Sequence, residues 1–158
     1  MTVLARNIKV VKTKDVNITD EFFNPLKREK HFLWNNVSTK NDKLGTFEEF
    51  WNTQSYVYAL YDDNKIKAIM GLYIPKDRKI KSKLGISILK AAKFYYEYYD
   101  YFINSAVTTA QIQGCIGVEL VVANSNKYII KKIKSSYTDV EVFTYPKDGF
   151  TKMTIYID

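Results

Sequence analysis

Cysteine and histidine are almost missing from this chain: 158 residues hold one of each, Cys115 and His31. A lone cysteine excludes an intramolecular disulfide and suits a reducing compartment. Set among Gly114, Ile116 and Gly117, it reads as a small buried residue. A lone histidine excludes a histidine-rich metal centre and most His-based catalysis, so no metal is expected. No internal repeat and no low-complexity linker interrupts the sequence. No apolar run approaches the ~20 residues that a membrane-spanning helix needs. Lys9, Lys12 and Lys14 break up the early apolar stretches, which argues against a signal peptide. The expected location is cytoplasmic, with no membrane partner.

What is present suits one folded domain, expected over residues 1–158. Hydrophobic residues make up 46% of the chain, enough to bury one core. Thirteen Tyr and nine Phe serve either that core or half-buried contact surfaces. The net charge of +7 favours acidic partners such as nucleic acid or a phosphorylated cofactor. The densest lysine groups are Lys76 to Lys83 and Lys127 to Lys134, and a solvated basic face is the plainer explanation of them. Nucleic-acid binding rests on charge alone, since no RNA-binding aromatic motif or helix-turn-helix pattern accompanies it.

Along the chain, Ile8 to Val11 reads as a first strand. Glu21, Phe22, Phe23 and Leu26, with Pro25 in the first turn, read as a helix start. Thr46-Phe47-Glu48-Glu49 is a capping box before a short helix through Trp51. Tyr56 to Tyr61 and Ile66 to Ile74 form a hairpin around Asp62-Asp63-Asn64-Lys65. Apolar residues at three- and four-residue steps, from Leu84 through Ile88, Ala91, Tyr95 and Phe102 to Ala106, predict one long helix ending before Gly114. Gly117 to Val122 reads as a strand buried on both faces. Asn124-Ser125-Asn126 offers cap chemistry for a basic amphipathic helix over 127–134. Val140 to Thr144 and Thr151 to Ile157, around Pro146-Lys147-Asp148-Gly149, close the chain as a second hairpin.

This order resembles the GCN5-related N-acetyltransferase (GNAT) fold over nearly the whole chain. The resemblance implies a mixed α/β (α+β) domain: a central, mixed, mostly antiparallel sheet with terminal hairpins and helices on both faces. It also implies acetyl-CoA or another acyl-CoA as cofactor and acyl transfer to an amine as activity. In that family the loop between the fourth strand and third helix reads Arg/Gln-x-x-Gly-x-Gly/Ala. Its amides, with the positive helix end, hold the cofactor pyrophosphate. Aligned on Ile88 to Ala92, Gly85 matches the last small position, Lys83 stands where the first glycine belongs, and Ile80 where Arg or Gln belongs. The resemblance therefore assigns cofactor contacts to Lys83, Leu84, Gly85, Ile86 and Ser87. Lys83 either obstructs the pyrophosphate or holds it by charge.

Val118 to Asn126 resembles the family's fifth strand and the Asn that follows it. Asn124 and Asn126 are accordingly cofactor candidates, or else helix caps. The family's next helix often carries a Tyr that protonates the leaving thiolate. Counted from Asn126 that slot is Ile133; from Asn124 it is Lys131. Tyr128 is the nearby hydroxyl candidate, and Tyr137 is similar to the aromatic that ends that helix. Glu119 is the candidate general base, or a strand residue facing a neighbour's Lys or Tyr. Asp77 is a second carboxylate near the basic loop.

Five Tyr and one Phe stand within Tyr95 to Phe102. Tyr95, Tyr98 and Phe102 are expected in the core. Tyr96 and Tyr99 are expected on an exposed patch that suits a protein partner or a homo-oligomer. The eroded loop makes a catalytically inactive interaction or assembly module the second reading. The Lys-, Ile-, Tyr- and Asn-rich composition resembles that of A+T-rich genomes, phages among them, so a virion-associated location accompanies that reading.

Overall fold

The computed structural model describes residues 8–28, 47–74, 82–147 and 149–157. Seven strands form one sheet: β1 (Ile8–Val11), β2 (Tyr56–Asp62), β3 (Lys65–Tyr73), β4 (Lys83–Ala91), β5 (Gly117–Ala123), β6 (Val140–Tyr145) and β7 (Phe150–Tyr156). Among the described residues four α-helices accompany them: α1 (Asn24–Arg28), α2 (Phe47–Trp51), α3 (Tyr98–Ile112) and α4 (Lys127–Ser136). The strand order is β1-β2-β3-β4-β5-β7-β6. Only β4 and β5 run parallel; the other neighbours are antiparallel. The β2–β3 hairpin turns at Asp63 and Asn64, both at positive φ (58° and 62°). That two-residue geometry matches strand twist, and Asp and Asn tolerate it.

The long helix expected from Leu84 is not there. Residues 83–91 are β4, and the helix begins only at Tyr98. Leu84, Ile86 and Ile88 are buried, but against different partners. Leu84 and Ile86 face α3, while Ile88 joins the core on the other side. A strand buried on both faces reads as a continuous apolar run, which periodicity cannot separate from a helix. Lys83, Leu84, Gly85, Ile86 and Ser87 are therefore strand residues. They form neither a loop nor a helix start.

The sheet separates two cores. On one face α3 and α4 bury Phe102, Ala106, Ile129 and Ile133 against Leu84, Val118, Leu120 and Met153. On the other, α1 and α2 bury Leu26, Phe50 and Trp51, with Phe23, against Val57, Ala59, Ile69 and Ile88. The Phe23 and Trp51 rings meet edge to face at 5.5 Å. The Trp51 indole N–H donates to the Thr13 carbonyl at 2.9 Å, so its polar edge is satisfied. Thr46, His31, Asp77, Ile80 and Asp148 lie outside the described residues. Among the described residues no helix is long and apolar enough to cross a membrane.

Candidate functional site

The site grows out of the one parallel pair. β4 and β5 pair from Lys83↔Gly117 to Ile86↔Leu120, and there the ladder ends. Both strands continue, β4 to Ala91 and β5 to Ala123. The cause lies on the other edge of β4. Gly71 of β3 partners Ile88 and Leu72 partners Ile86, so Ser87 is an extra residue, a bulge. A bulge bends its strand and increases the local twist. Here it falls one residue beyond the last β5 contact, where β4 turns away. Ser87 is fully buried, and its hydroxyl has no hydrogen-bond partner among the described residues.

The resulting gap opens into a cleft of about 420 Å³, within the usual range for small-molecule sites. Ile86, Leu89 and Lys90 form one wall, and Leu120 to Ala123 form the other. Leu26 of α1 reaches it from the far face of the sheet. Ser125, Asn126, Lys127 and Tyr128, at the start of α4, and Tyr96 and Tyr99, at the start of α3, surround the mouth. The cleft thus lies at the carboxyl ends of parallel strands, where open α/β sheets bind ligands.

The mouth differs from a phosphate nest. The β4–α3 connection, residues 92–97, contains no glycine. Phe94 takes the left-handed conformation there, at φ 75°. The amides of Tyr95, Tyr98 and Tyr99 donate to the carbonyls of Ala92, Tyr95 and Tyr96 at 2.9–3.1 Å. Glu97 stands at the N-cap of α3 without a capping bond, and Asp100 follows in the first turn. Glu97 thus adds negative charge at the positive end of the helix, while Asp100 is paired with Lys132 at 3.1 Å. Tyr96, Tyr99 and Tyr128 fill the space between the two helix starts, with ring centroids 5.8, 5.9 and 6.1 Å apart.

Tyr99 corrects an expectation. It is buried rather than exposed, and its hydroxyl accepts a 2.9 Å bond from the Ala91 amide. Tyr96 is 47% exposed, as expected of a surface aromatic. Tyr95 donates to Asp62 at 2.5 Å, and this bond to a carboxylate raises the pKa of the phenol.

Of the sequence candidates, the fold brings Ile86, Asn126 and Tyr128 to the cleft. Leu84 is core, fully buried. Lys83 and Gly85 sit in the sealed stretch of β4, opposite Gly117 and Glu119. Glu119 points away from α3 and is held by Lys152 at 3.5 Å and Lys83 at 4.0 Å. It does not line the cleft, so the fold does not unite it with Tyr128. The Lys83 ammonium lies over the Tyr156 ring, 5.4 Å from its centroid. Asn124 is tied to the terminal hairpin: it accepts from the Thr151 hydroxyl and donates to the Tyr145 carbonyl. Asn126 caps α4, accepting from the Ile129 amide at 3.4 Å. Of the two residues counted to the Tyr slot, Ile133 is buried core and Lys131 is exposed. Among the described residues no three His, Cys, Asp or Glu side chains gather as a metal site.

Sequence reasoning missed Lys90, Lys127 and the cleft position of Tyr96 and Tyr99. The signal was available. With β4 read through Ala91, the residues just after β4 and β5 are the mouth by the strand-end rule alone.

No family model matches the sequence, and no curated protein matches it. Solved structures do match in three dimensions. An IAA acetyltransferase from Bacillus cereus superposes with a TM-score of 0.61 at 10% identity, covering 95% of this chain and 98% of its own. A GNAT family acetyltransferase from Elizabethkingia anophelis, solved with acetyl-CoA bound, gives 0.59 at 14% identity over 96% and 99%. An acetyltransferase of the GNAT family from Streptococcus pneumoniae gives 0.58 at 15% identity over 96% and 98%. The chain has the GNAT fold.

Proposed function

We propose that this protein binds an acyl thioester of the acyl-CoA type in the gap between β4 and β5, and that it is an N-acyltransferase acting on an amine. One observation carries the reading. The parallel ladder stops at Ile86 and Leu120 while both strands run on. The gap leaves strand backbone facing a cleft. Because Ala91 turns its N–H away from β3, toward Tyr99, alternation turns the N–H and C=O of Leu89 the same way. An extended amide-bearing arm can pair with such an edge as a further strand would.

An acyl-CoA would supply an activated acyl group there. Leu89 and the backbone beside it would bind the arm. Ile86 and Leu120 would exclude water from its inner end. Leu26 marks the side from which an acceptor would approach. Asn126 and Tyr128 are the polar side chains at the mouth nearest α4. The pyrophosphate is less well served, because the amides and charges at the start of α3 do not suit it.

Titration calorimetry and thermal denaturation with acetyl thioesters test the binding. Ligand at 100 times its dissociation constant should stabilise the protein by ~2.7 kcal/mol. Absence of any heat or shift with millimolar acetyl thioesters would falsify this reading.

A second reading has its own observations. Neither residue counted to the acid slot, Ile133 or Lys131, is a Tyr, and Glu119 is ion-paired outside the cleft. These favour a non-catalytic thioester-binding or assembly module. Its contact surface would be Phe94 and Tyr96, exposed by 82% and 47%. Release of free thiol from acetyl-CoA in the presence of varied amines separates the two. Turnover supports the enzyme. Binding without turnover, with self-association seen by light scattering, supports the module.

A further inference from the structure

We infer that β6 is a dimerisation edge: two copies of this chain pair antiparallel along β6, about a two-fold axis at Phe143, into one continuous sheet. The inference stands apart from the acyl-thioester reading and from the aromatic surface at the start of α3.

β6 is last in the strand order, so among the described residues one of its edges has no strand beside it. β1, at the opposite end, is four residues long, carries Lys9 and is followed by Lys12. Short length and lysine both oppose pairing with another chain. β6 lacks these devices. It runs six residues, keeps an unbroken register with β7, and carries no lysine, arginine or proline. That is notable in a chain with 24 lysines and arginines. Its free edge is also set for pairing. The Tyr156 amide donates to the Asp139 carbonyl at 2.9 Å. Alternation from that rung gives Glu141 and Phe143 to β7 and turns the N–H and C=O of Val142 and Thr144 outward.

The side chains single out a second copy as the occupant. Val140 and Val142 pack on the core under α3 and α4, so Glu141, Phe143 and Tyr145 stand on the other face, exposed. With the axis at Phe143, Val142 of each copy exchanges both backbone bonds with Thr144 of the other. Phe143 then meets its own copy, and Glu141 meets Tyr145. These are non-hydrogen-bonded pairs, where side chains come closest. Glu141 has one oxygen engaged by the Tyr156 hydroxyl at 3.2 Å, which leaves the other for the Tyr145 phenol. Further out, Asp139 comes beside the turn that carries Lys147 of the second copy, so the charges are complementary. Other arrangements fit worse. An axis at Glu141 sets that carboxylate against itself, and one at Val142 sets it against Phe143. Parallel pairing in register lines up Asp139, Glu141 and Lys147 with their like charges. The two-fold pairing also closes, because it consumes the free edge of both copies.

Sedimentation equilibrium of the full chain, from about 1 to 300 µM, tests this over the range proper to an interface built on one strand edge. The parent should form a dimer and nothing larger. Phe143→Lys sets two ammonium groups face to face and should raise the dimer dissociation constant by about tenfold or more. Thr144→Pro removes an outward N–H that β7 does not use and should do the same. Both variants should keep the parent's far-UV circular dichroism. Asp139→Lys and Lys147→Asp should each weaken the dimer by about a few-fold, and the double variant should restore it. In hydrogen exchange the amides of Val142 and Thr144 should gain protection as concentration rises, while those of Glu141 and Phe143 stay protected throughout. A chain that remains monomeric to the top of the range overturns the inference, as do open-ended polymers. So does a dimer that survives both Phe143→Lys and Thr144→Pro, or one lost on Phe94→Ser or Tyr96→Ser, which would place the contact at the start of α3.

Discussion

Between Ile86 and Ala91 the cleft is walled by strand backbone, aliphatic side chains and Lys90; at its mouth, a few residues on, the walls are three tyrosine rings and Lys127. The inner part depends on a bulge and on where a ladder ends. Many sequences can supply both. The mouth depends on which side chains stand at particular positions, and there the chain departs from the Gly-rich loop of the fold it shares. Architecture held by backbone geometry tolerates divergence, while recognition held by side chains does not. That contrast makes the inner cleft part of the core, and the mouth an addition to it.

The sharpest way to break the contrast is to truncate both regions. Leu120, 1% exposed, lies at the last rung of the β4–β5 ladder. Leu120→Ala should cost ~2–5 kcal/mol in urea denaturation, from lost burial and a residual cavity. Tyr96→Ala, at the exposed mouth, should cost no more than ~0.5–1.5 kcal/mol, the worth of its ring contacts. Equal losses would make the mouth as structural as the wall, and the contrast would fail.

A second substitution acts on the sealed stretch below the gap. A Cβ on Gly117 would lie 2.7 Å from the Ile155 carbonyl oxygen. That neighbour is backbone in the paired strand β7, so β5 and β7 must separate slightly. Gly117→Ala should destabilise by ~1–3 kcal/mol. Gly149, in the terminal turn, has nothing within 4 Å but sits at φ 78°. Gly149→Ala therefore tests conformational strain alone, and should cost less, about 1 kcal/mol.

The same contrast explains what was legible in advance. The β2–β3 hairpin and its Asp-Asp-Asn turn were plain in the sequence, as were β5, α4 and the terminal hairpin. In each, alternation or cap chemistry agrees with the final structure. β4 was not legible as a strand. Its two faces enter different cores, and the Ser87 bulge shifts its alternation midway. Leu84, Ile88 and Ala91 then fall at helical intervals by coincidence. Reading that run as a helix placed the phosphate loop at 80–88, while the β4–α3 connection is 92–97. The tyrosine-lined mouth was not legible either, because Tyr96 and Tyr99 were assigned to the middle of a helix.

Tyr99 joins the two regions, and its hydroxyl offers a smaller test. It accepts from the Ala91 amide on the cleft edge. Tyr99→Phe keeps the ring and leaves that amide without this acceptor. Stability should fall by ~0.5–1.5 kcal/mol, and the freed amide should tighten binding of acetyl-pantetheine by a few-fold, about the worth of one hydrogen bond. Lower stability with weaker binding would mean that the hydroxyl serves the ligand directly.

The smallest effect expected concerns the support behind the mouth. Tyr137, just after α4, bonds to Asn104 of α3, and Lys132 pairs with Asp100 at 3.1 Å. Burial, and then the charge of Asp100, raise the Tyr137 phenol above its ordinary value of 10.0. A raised value means that the fold holds the neutral phenol. The stabilisation is complete below the unfolded value and fades as pH rises through the folded one. Stability should therefore be level from about pH 8 to 9.5 and fall above about pH 10. Tyr137→Phe should make that fall shallower. It should not abolish it, since burial also raises Tyr61, with Asp15 and Asp20 adding to the shift. Because this clamp lies between α3 and α4 and not along β4, its loss should loosen one region before the other. In hydrogen exchange at high pH, the amides of α4 should open ahead of those of β4 and β5. Simultaneous opening would mean that cleft and mouth are one cooperative unit, and that the side chains at the mouth help to hold the gap open.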